Sequence, residues 1–468
     1  MIKLASLLFG VLTLGASRRL IYRLDFPKWG ISLALFLTGA SWTLAVASVN
    51  GLETTLSAWL MTMLVARLIT GDAISRPLNT AVIAAGVVLA RPEGIGIVAV
   101  LALTALLTKG SSSSAWRSIA WAVGGLGAAI AATLVRLVYY GEFLPNTYYA
   151  KHAALWLSMQ RGWRYLLSSV ALLESSTFTP QGRLSIEIKI LAGVFGAVLL
   201  VGIAVTVVRR PRVLFATVAV IAQICVILAA GGDWMSGGRF VAPIAPLLAI
   251  IQTVGVIAIV NLVATHSSGA TGAPVFVRGV LAAFLGLAGL AGALSVKNPI
   301  WDSHWKFDTA SLFAASHGAG VPTVVWMDGA AVLGCAQPND VIAYSEVGYA
   351  GFVHQDLRFV DTRGLTDRAI ARNASSSDKS NVGVTDFSWR SPRSPVGAEI
   401  LKERADFILT FDQNVSIGKV LAGTYREVGY KQIPPRQFPF FLYQRAGRHC
   451  PAPGFIAYRT PARSPGTG

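Results

Sequence analysis

Four short stretches carry side chains able to do chemistry: "GLET" with Glu53, "RPEG" with Arg91 and Glu93, "YYGEFLPNTYYAKH" from Tyr139 to His152, and "GGDWMSGGRF" with Asp233 and Arg239. Each interrupts long apolar sequence. An ionisable pair such as Arg91 and Glu93 between two apolar segments is expensive unless it pairs or lines a polar cavity, so it reads either as a functional pair or as a structural one at the tip of a helical hairpin. Glu53 stands where a helix starts, and there a carboxylate also serves as a simple cap. The glycines around Asp233 and Arg239 let the backbone turn closely, either to hold a phosphate or a divalent metal, with Asp233 as ligand, or merely to make a tight turn. In the tyrosine-rich stretch, Pro145 stops one helix and Asn146 and Thr147 can cap the next. Tyr148 and Tyr149 suit a sugar face and Lys151 a phosphate, Glu142 is a further carboxylate, and Tyr139 and Tyr140 fit an ordinary interfacial aromatic belt.

The elements that hold these stretches are apolar. Of 468 residues, 53% are hydrophobic and 13% charged, and the mean hydropathy is +0.56, far from a soluble domain. Runs near Leu4–Leu14, Ile31–Val49, Leu56–Ile69, Leu78–Ala90, Ile95–Leu107, Ile119–Tyr139, Ile188–Val208, Val213–Ala230, Val241–Val263 and Val280–Val296 predict about ten spans, against the roughly 20 residues a bilayer core requires. The three shortest, starting at Leu4, Leu78 and Ile95, are equally consistent with half-helices or buried segments.

The net charge of +17 sits largely in short loops such as Arg18–Arg23, Lys109–Arg117 and Arg209–Arg212, where membrane orientation explains it. No basic patch with stacking aromatics lies on a soluble module, so nucleic acid is not an expected partner. Placing the basic loops in the cytoplasm puts all four chemistry-bearing stretches, and everything after about Lys297, on the extracytoplasmic side. An even number of spans then sets Met1 outside as well, which predicts either a missing N-terminal portion or one span miscounted.

Residues 1–297 thus form a polytopic α-helical domain, and residues 298–468 an extracytoplasmic soluble module of about 170 residues, a usual domain size. There "TVVWM", "DVIAYS", "LRFVD" and "DFILTF" read as strands, "AEILKERA" as a helix and "RNASSSDKSNVGVTD" as a flexible loop, which gives an α/β class. Cys335 and Cys450 fall in this module, either bonded or free. "ALWLSMQRGWRYLLSSV" mixes Trp156, Trp163 and Tyr165 with Arg161 and Arg164 and reads as a helix lying at the lipid interface, placed to guide a lipid carrier.

Taken in order, "GLET", "ARPEG", "YYGEFLPNTYYAK" and "GGDWMSGGRFVAPIAPL", followed by "DVIAYSEVGYAGF" and "FVDTRGLTDRAIA", the chain resembles membrane glycosyltransferases of the GT-C superfamily. The likeness is greatest to the terminal β-(1→2) arabinofuranosyltransferases of the actinobacterial cell wall and their broader bacterial relatives, and it runs from about Gly51 to Asp367. The resemblance implies a multi-pass protein of the bacterial plasma membrane that inverts configuration while moving a sugar, such as arabinofuranose, from a polyprenyl-phosphate donor to a cell-envelope polysaccharide. It implies a carboxylate base, Glu93 or Asp233, and phosphate or donor contacts from Arg91, Lys151, Arg239, Tyr148, Tyr149 and Asn146, with the C-terminal module holding the acceptor glycan. The family's paired aspartates in a first extracytoplasmic loop have no counterpart here. Two alternatives follow: a truncated or non-catalytic glycan-binding homologue, and, from another class, a transporter or flippase, which more often shows internal repeats.

Overall fold

The computed structural model describes residues 2–49, 53–109, 119–170, 186–209, 213–233, 238–266, 336–345, 347–375, 379–380, 383–384, 393–410, 421, 423–433 and 438–448. The chain divides into two compact units, Met1–Phe143 with Leu155–Asn298, and Leu144–Ala154 with Pro299–Gly468.

The first unit is helical. Helices Ile2–Ile21, Lys28–Gly39, Trp42–Val49, Thr54–Thr70, Pro77–Ala90, Gly94–Lys109, Ala122–Tyr140, Ile186–Arg209, Leu214–Ala230 and Ala245–His266 follow the apolar runs, and Leu155–Val170 is the helix expected at the lipid interface from its mixed sequence. Among the described residues three segments, Ile2–Ile21, Ala122–Tyr140 and Ala242–Leu262, are long and apolar enough to cross a membrane, or four with the bent pair Lys28–Gly39 and Trp42–Val49. The protein is therefore a helical membrane protein, and the described residues do not confirm the ten spans expected from hydropathy. The Ile31–Val49 run, expected as one span, is bent by 44°, where the Ser41 hydroxyl accepts the Leu44 N–H at 3.4 Å and starts a new helix. Thr54–Thr70, Pro77–Ala90, Gly94–Lys109 and Leu214–Ala230 are apolar but shorter than 18 residues, whereas helix Ile186–Arg209 runs for 24 residues. The Val280–Val296 run lies outside the described residues.

Close helix contacts in this unit depend on small residues, as expected where lipid gives no hydrophobic drive between helices. A Cβ on Gly202 would come within 2.1 Å of the Ile251 carbonyl oxygen, and one on Gly255 within 2.2 Å of the Val198 oxygen, so helices Ile186–Arg209 and Ala245–His266 cross backbone to backbone. Most residues of Ala242–Leu262 are buried, whereas Ala122–Tyr140 is mostly exposed and presents apolar side chains outward.

The second unit contains a five-stranded sheet in the order β2-β1-β5-β7-β6, with β1 (Val341–Tyr344), β2 (Arg358–Asp361), β5 (Phe407–Thr410), β6 (Tyr425–Ile433) and β7 (Phe438–Arg445). β1 runs parallel to β2 and β5, and β7 runs antiparallel to β5 and β6. "DVIAYS", "LRFVD" and "DFILTF" supply the three parallel strands. β1 and β5 are buried along their whole length, whereas β2 begins with the exposed Arg358 and is buried only at Val360 and Asp361. "TVVWM" and both Cys335 and Cys450 lie outside the described residues. Helix Pro395–Lys402 is capped by the Ser394 hydroxyl, which accepts the Gly397 N–H, with Pro395 in its first turn. Within the stretch expected as a loop, β3 (Lys379–Ser380) and β4 (Gly383–Val384) pair antiparallel. Asp406 ties the sheet together, accepting the Val341 N–H at 3.0 Å and meeting Arg445 at 2.5 Å and Arg448 at 3.1 Å.

Gly202→Val should prevent the close crossing and destabilise the first unit by about 1–3 kcal/mol or more, read as a lower melting temperature in detergent; an unchanged temperature would show that the helices do not meet there.

Candidate functional site

Arg91 closes helix Pro77–Ala90 because it precedes proline, which disfavours helical backbone at its own position; its φ of −149° and ψ of 133° are extended. The next helix begins at once. A Cβ on Gly94 would lie 2.4 Å from the Val87 oxygen, so only glycine lets the hairpin close this tightly. The Arg91 side chain is 6% exposed, and its guanidinium is met by two carboxylates: Nε reaches Glu93 Oε1 at 2.5 Å and Nη1 reaches Glu53 Oε1 at 3.1 Å. Glu53 stands at the N-cap of helix Thr54–Thr70 but makes no side-chain cap bond. The simple capping reading of that residue therefore gives way to an ion pair 38 positions along the chain.

The third loop supplies the other half. Helix Leu214–Ala230 ends on Gly231 and Gly232, with φ of 80° and 77°, a region that favours glycine. This turn delivers Asp233, 1% exposed, whose carboxylate pairs with the Arg239 guanidinium. Both arginines then lie over the ring of Phe240, Arg91 at 4.7 Å and Arg239 at 5.6 Å from its centroid, close enough for cation–π attraction. Two guanidiniums and three carboxylates, Glu53, Glu93 and Asp233, are thereby gathered around one aromatic ring.

Phe240 is itself held by its backbone. Its N–H donates to the Tyr165 hydroxyl at 3.1 Å, and its carbonyl accepts from Gln223 Nε2 at 2.9 Å. Burial, with the Asp233 carboxylate nearby, pushes the Tyr165 phenol well above its ordinary pKa, so it stays a neutral hydroxyl. Tyr165 lies on the buried face of helix Leu155–Val170, with Ser158 and Leu166, while Leu155, Trp156, Met159 and Trp163 are exposed. The sequence reading placed Tyr165 on an interfacial helix and Phe240 at the end of the glycine-rich loop but gave neither a role in the site, and it did not single out Gln223. Gln223 alone carried a visible signal, as an amide inside an apolar run.

Asn146, Tyr148, Tyr149 and Lys151 sit on one helix, Asn146–Lys151, which belongs to the second unit. The Asn146 amide donates to the Gly364 carbonyl at 2.9 Å and the Leu365 carbonyl at 3.1 Å. Tyr148 stacks on His152 at 5.1 Å, and the Arg372 guanidinium lies 4.6 Å from the Tyr149 ring centre. Glu142, before this helix, belongs to the first unit. Tyr139 and Tyr140 are exposed and meet edge to face at 4.5 Å. Among the described residues no three His, Cys, Asp or Glu side chains gather as a metal site, and the Asp233 carboxylate pairs with Arg239.

Residues 321–450 match a family model described as a domain of unknown function, DUF8728. No curated protein matches the chain. Among solved structures, the chain is similar to the Archaeoglobus fulgidus oligosaccharyltransferase tethered with an acceptor peptide containing the NVT sequon, at 12% identity and a TM-score of 0.47 over 94% of this chain and 62% of that one. It is also similar to the oligosaccharyltransferase AglB from the same organism in complex with an inhibitory peptide and a dolichol-phosphate, at 13% identity and a TM-score of 0.46 over 87% and 58%. The chain thus spans about three fifths of the length of these structures. Similarity at this level assigns no role to any residue.

Tyr165→Phe leaves the buried Phe240 N–H without its acceptor and should cost about 1–3 kcal/mol of stability, and Gln223→Leu should do the same for the Phe240 carbonyl; melting temperatures in detergent check both.

Proposed function

We propose that the first unit is a GT-C-type membrane glycosyltransferase that moves a sugar from a polyprenyl-phosphate donor to a cell-envelope glycan on the extracytoplasmic side. The single observation that carries this reading is the pair of guanidiniums, Arg91 and Arg239, set on the Phe240 ring with carboxylates at their backs. Leaving-group phosphate needs such fixed positive charge where its own negative charge develops, and a water-poor surrounding strengthens the effect. The order of the four loops along the sequence, with its resemblance to arabinofuranosyltransferases, supplies the finer reading of arabinofuranose as the sugar.

In this proposal the acceptor hydroxyl oxygen attacks the anomeric carbon, its proton passes to a carboxylate, and the bond from that carbon to the phosphate oxygen breaks with inversion. Glu93 is the proton acceptor. It is tied to Arg91 through one oxygen, and phosphate arriving on Arg91 competes for that contact and frees the carboxylate. Asp233, almost fully buried on Arg239, orients that guanidinium. Glu53, at 40% the most exposed of the three, neutralises the second nitrogen of Arg91.

All three carboxylates are ion-paired here, and this favours a second reading in which the cluster is structural and the protein binds glycan without turnover. Transfer assays with radiolabelled polyprenyl-phosphate arabinofuranose in nanodiscs separate the two. Arg91→Met and Arg239→Met should each lower transfer by roughly 10²–10³, and Glu93→Gln by roughly 10²–10⁴ with donor binding retained. Glycan binding without turnover in the unaltered protein would establish the second reading, and undiminished transfer in the arginine variants would remove the site.

A further inference from the structure

Helix Thr54–Thr70 starts beside the Arg91 cluster, through Glu53, and ends with a cation of its own, Arg67 in the last turn. Fourteen positions separate Glu53 from Arg67, about 21 Å at the helical rise, so Arg67 stands at the opposite end of this helix. Its Nε and Nη1 are sealed from the outside and have no hydrogen-bond partner. The residue as a whole is half-buried, so Nη2 is the nitrogen left open. The carbonyls at the end of its own helix carry partial negative charge, yet none accepts a hydrogen bond from it. A charge so largely withdrawn from water requires a counter-charge, and among the described residues no carboxylate supplies one to Arg67.

More positive charge gathers at this end. The Thr55 hydroxyl donates to the Ser6 carbonyl at 2.9 Å, and the Thr55 carbonyl accepts from the Thr13 hydroxyl at 3.5 Å. Side chains lean towards a helix's N-terminus and carbonyls point towards its C-terminus, so helices Ile2–Ile21 and Thr54–Thr70 run in the same direction. Twelve residues beyond Thr55, Arg67 is therefore level with the end of helix Ile2–Ile21, where Arg18 and Arg19 occupy the last turn and Arg23 follows. Only Gly71 and the short helix Asp72–Ser75 separate the end of Thr54–Thr70 from Arg76, which precedes helix Pro77–Ala90. Arg18, Arg19, Arg23 and Arg76 are exposed, as are the neighbouring Lys28, Asp25 and Asp72. Six cations thus stand against two carboxylates, and none of the five arginines is ion-paired among the described residues.

The margin of this charged end selects the kind of anion. Arg18 lies 5.6 Å from the centre of the Tyr22 ring, itself exposed, and tyrosine with arginine is the pairing found where a membrane protein meets headgroups. Exposed apolar side chains begin within two turns, at Val11 and Leu14 before Arg18 and at Leu78 and Val82 after Arg76. Cations at the edge of a lipid-facing surface meet headgroup phosphates, and the long arginine stems let the guanidiniums reach them. A soluble anion would match the charge but gain nothing from the apolar margin.

We propose that this end of the first unit is a binding site for an anionic phospholipid, whose phosphate meets Arg67 at Nη2 with Arg18, Arg19, Arg23 and Arg76 around it. The site is separate from the Arg91 cluster and stands whether or not the protein transfers sugar. Its test uses the full-length protein in a neutral maltoside detergent, with phosphatidylglycerol, phosphatidylcholine and inorganic phosphate added separately and bound lipid counted by native mass spectrometry. Phosphatidylglycerol should bind in preference to phosphatidylcholine at low salt, lose that preference as salt rises, and raise the melting temperature. Arg67→Met should weaken its binding by about fivefold or more, and the exposed pair Arg18→Gln with Arg19→Gln by about fivefold. Because Arg67 gives up no partner, Arg67→Met should leave the melting temperature without added lipid unchanged or higher, a result that an arginine bonded for structure would not give. Equal binding of the two lipids, binding unchanged by Arg67→Met, or binding weakened by Arg91→Met instead would overturn the proposal. A melting temperature raised by inorganic phosphate as much as by phosphatidylglycerol would overturn the lipid as the source of the anion.

Discussion

A guanidinium almost wholly withdrawn from water must be neutralised where it stands, and the first unit is organised around that requirement at Arg91. The hairpin that buries it needs Gly94 to close against Val87. Its charge needs Glu93 from the same turn and Glu53 from the start of another helix. Its flat face needs Phe240, which brings a second arginine and a buried aspartate with it. Removing one member of a buried ion pair generally costs about 3–5 kcal/mol because the partner is left uncompensated, so these loops are fixed together rather than merely adjacent.

Phe240 makes the cluster more than a salt bridge. Its ring is a shared floor for two cations, and both polar groups of its backbone are held by buried side chains from helices Leu155–Val170 and Leu214–Ala230. Two positive groups separated by a rigid aromatic keep a defined spacing without shielding one another in solvent. Such preorganisation is what charge developing on a phosphate would exploit.

Much of the fold was legible because apolar runs and period-two alternation report burial directly. The helices follow the runs, and "DVIAYS", "LRFVD" and "DFILTF" became the three parallel strands. Hydropathy is blind to backbone detail, as at Ser41, whose hydroxyl starts a fresh helix inside one apolar run. Arg91 and Glu93 were visible as a pair because they share a turn. The Arg91 to Glu53 contact, the Phe240 floor and the Tyr165 hydroxyl were not, since periodicity says which residues turn inward but not which distant loops meet. The Asn146 stretch shows the same limit: composition marked it as a candidate donor contact but could not show that its amide donates to the Gly364 and Leu365 carbonyls of the second unit.

The most direct measurement is a cryo-electron microscopy structure of the protein in nanodiscs with decaprenyl phosphate. The account predicts phosphate density within hydrogen-bonding distance of both Arg91 and Arg239, with Glu93 turned away from the guanidinium. Phosphate density elsewhere, with the Arg91–Glu53–Glu93 cluster unchanged, would contradict it and leave the cluster a structural clamp.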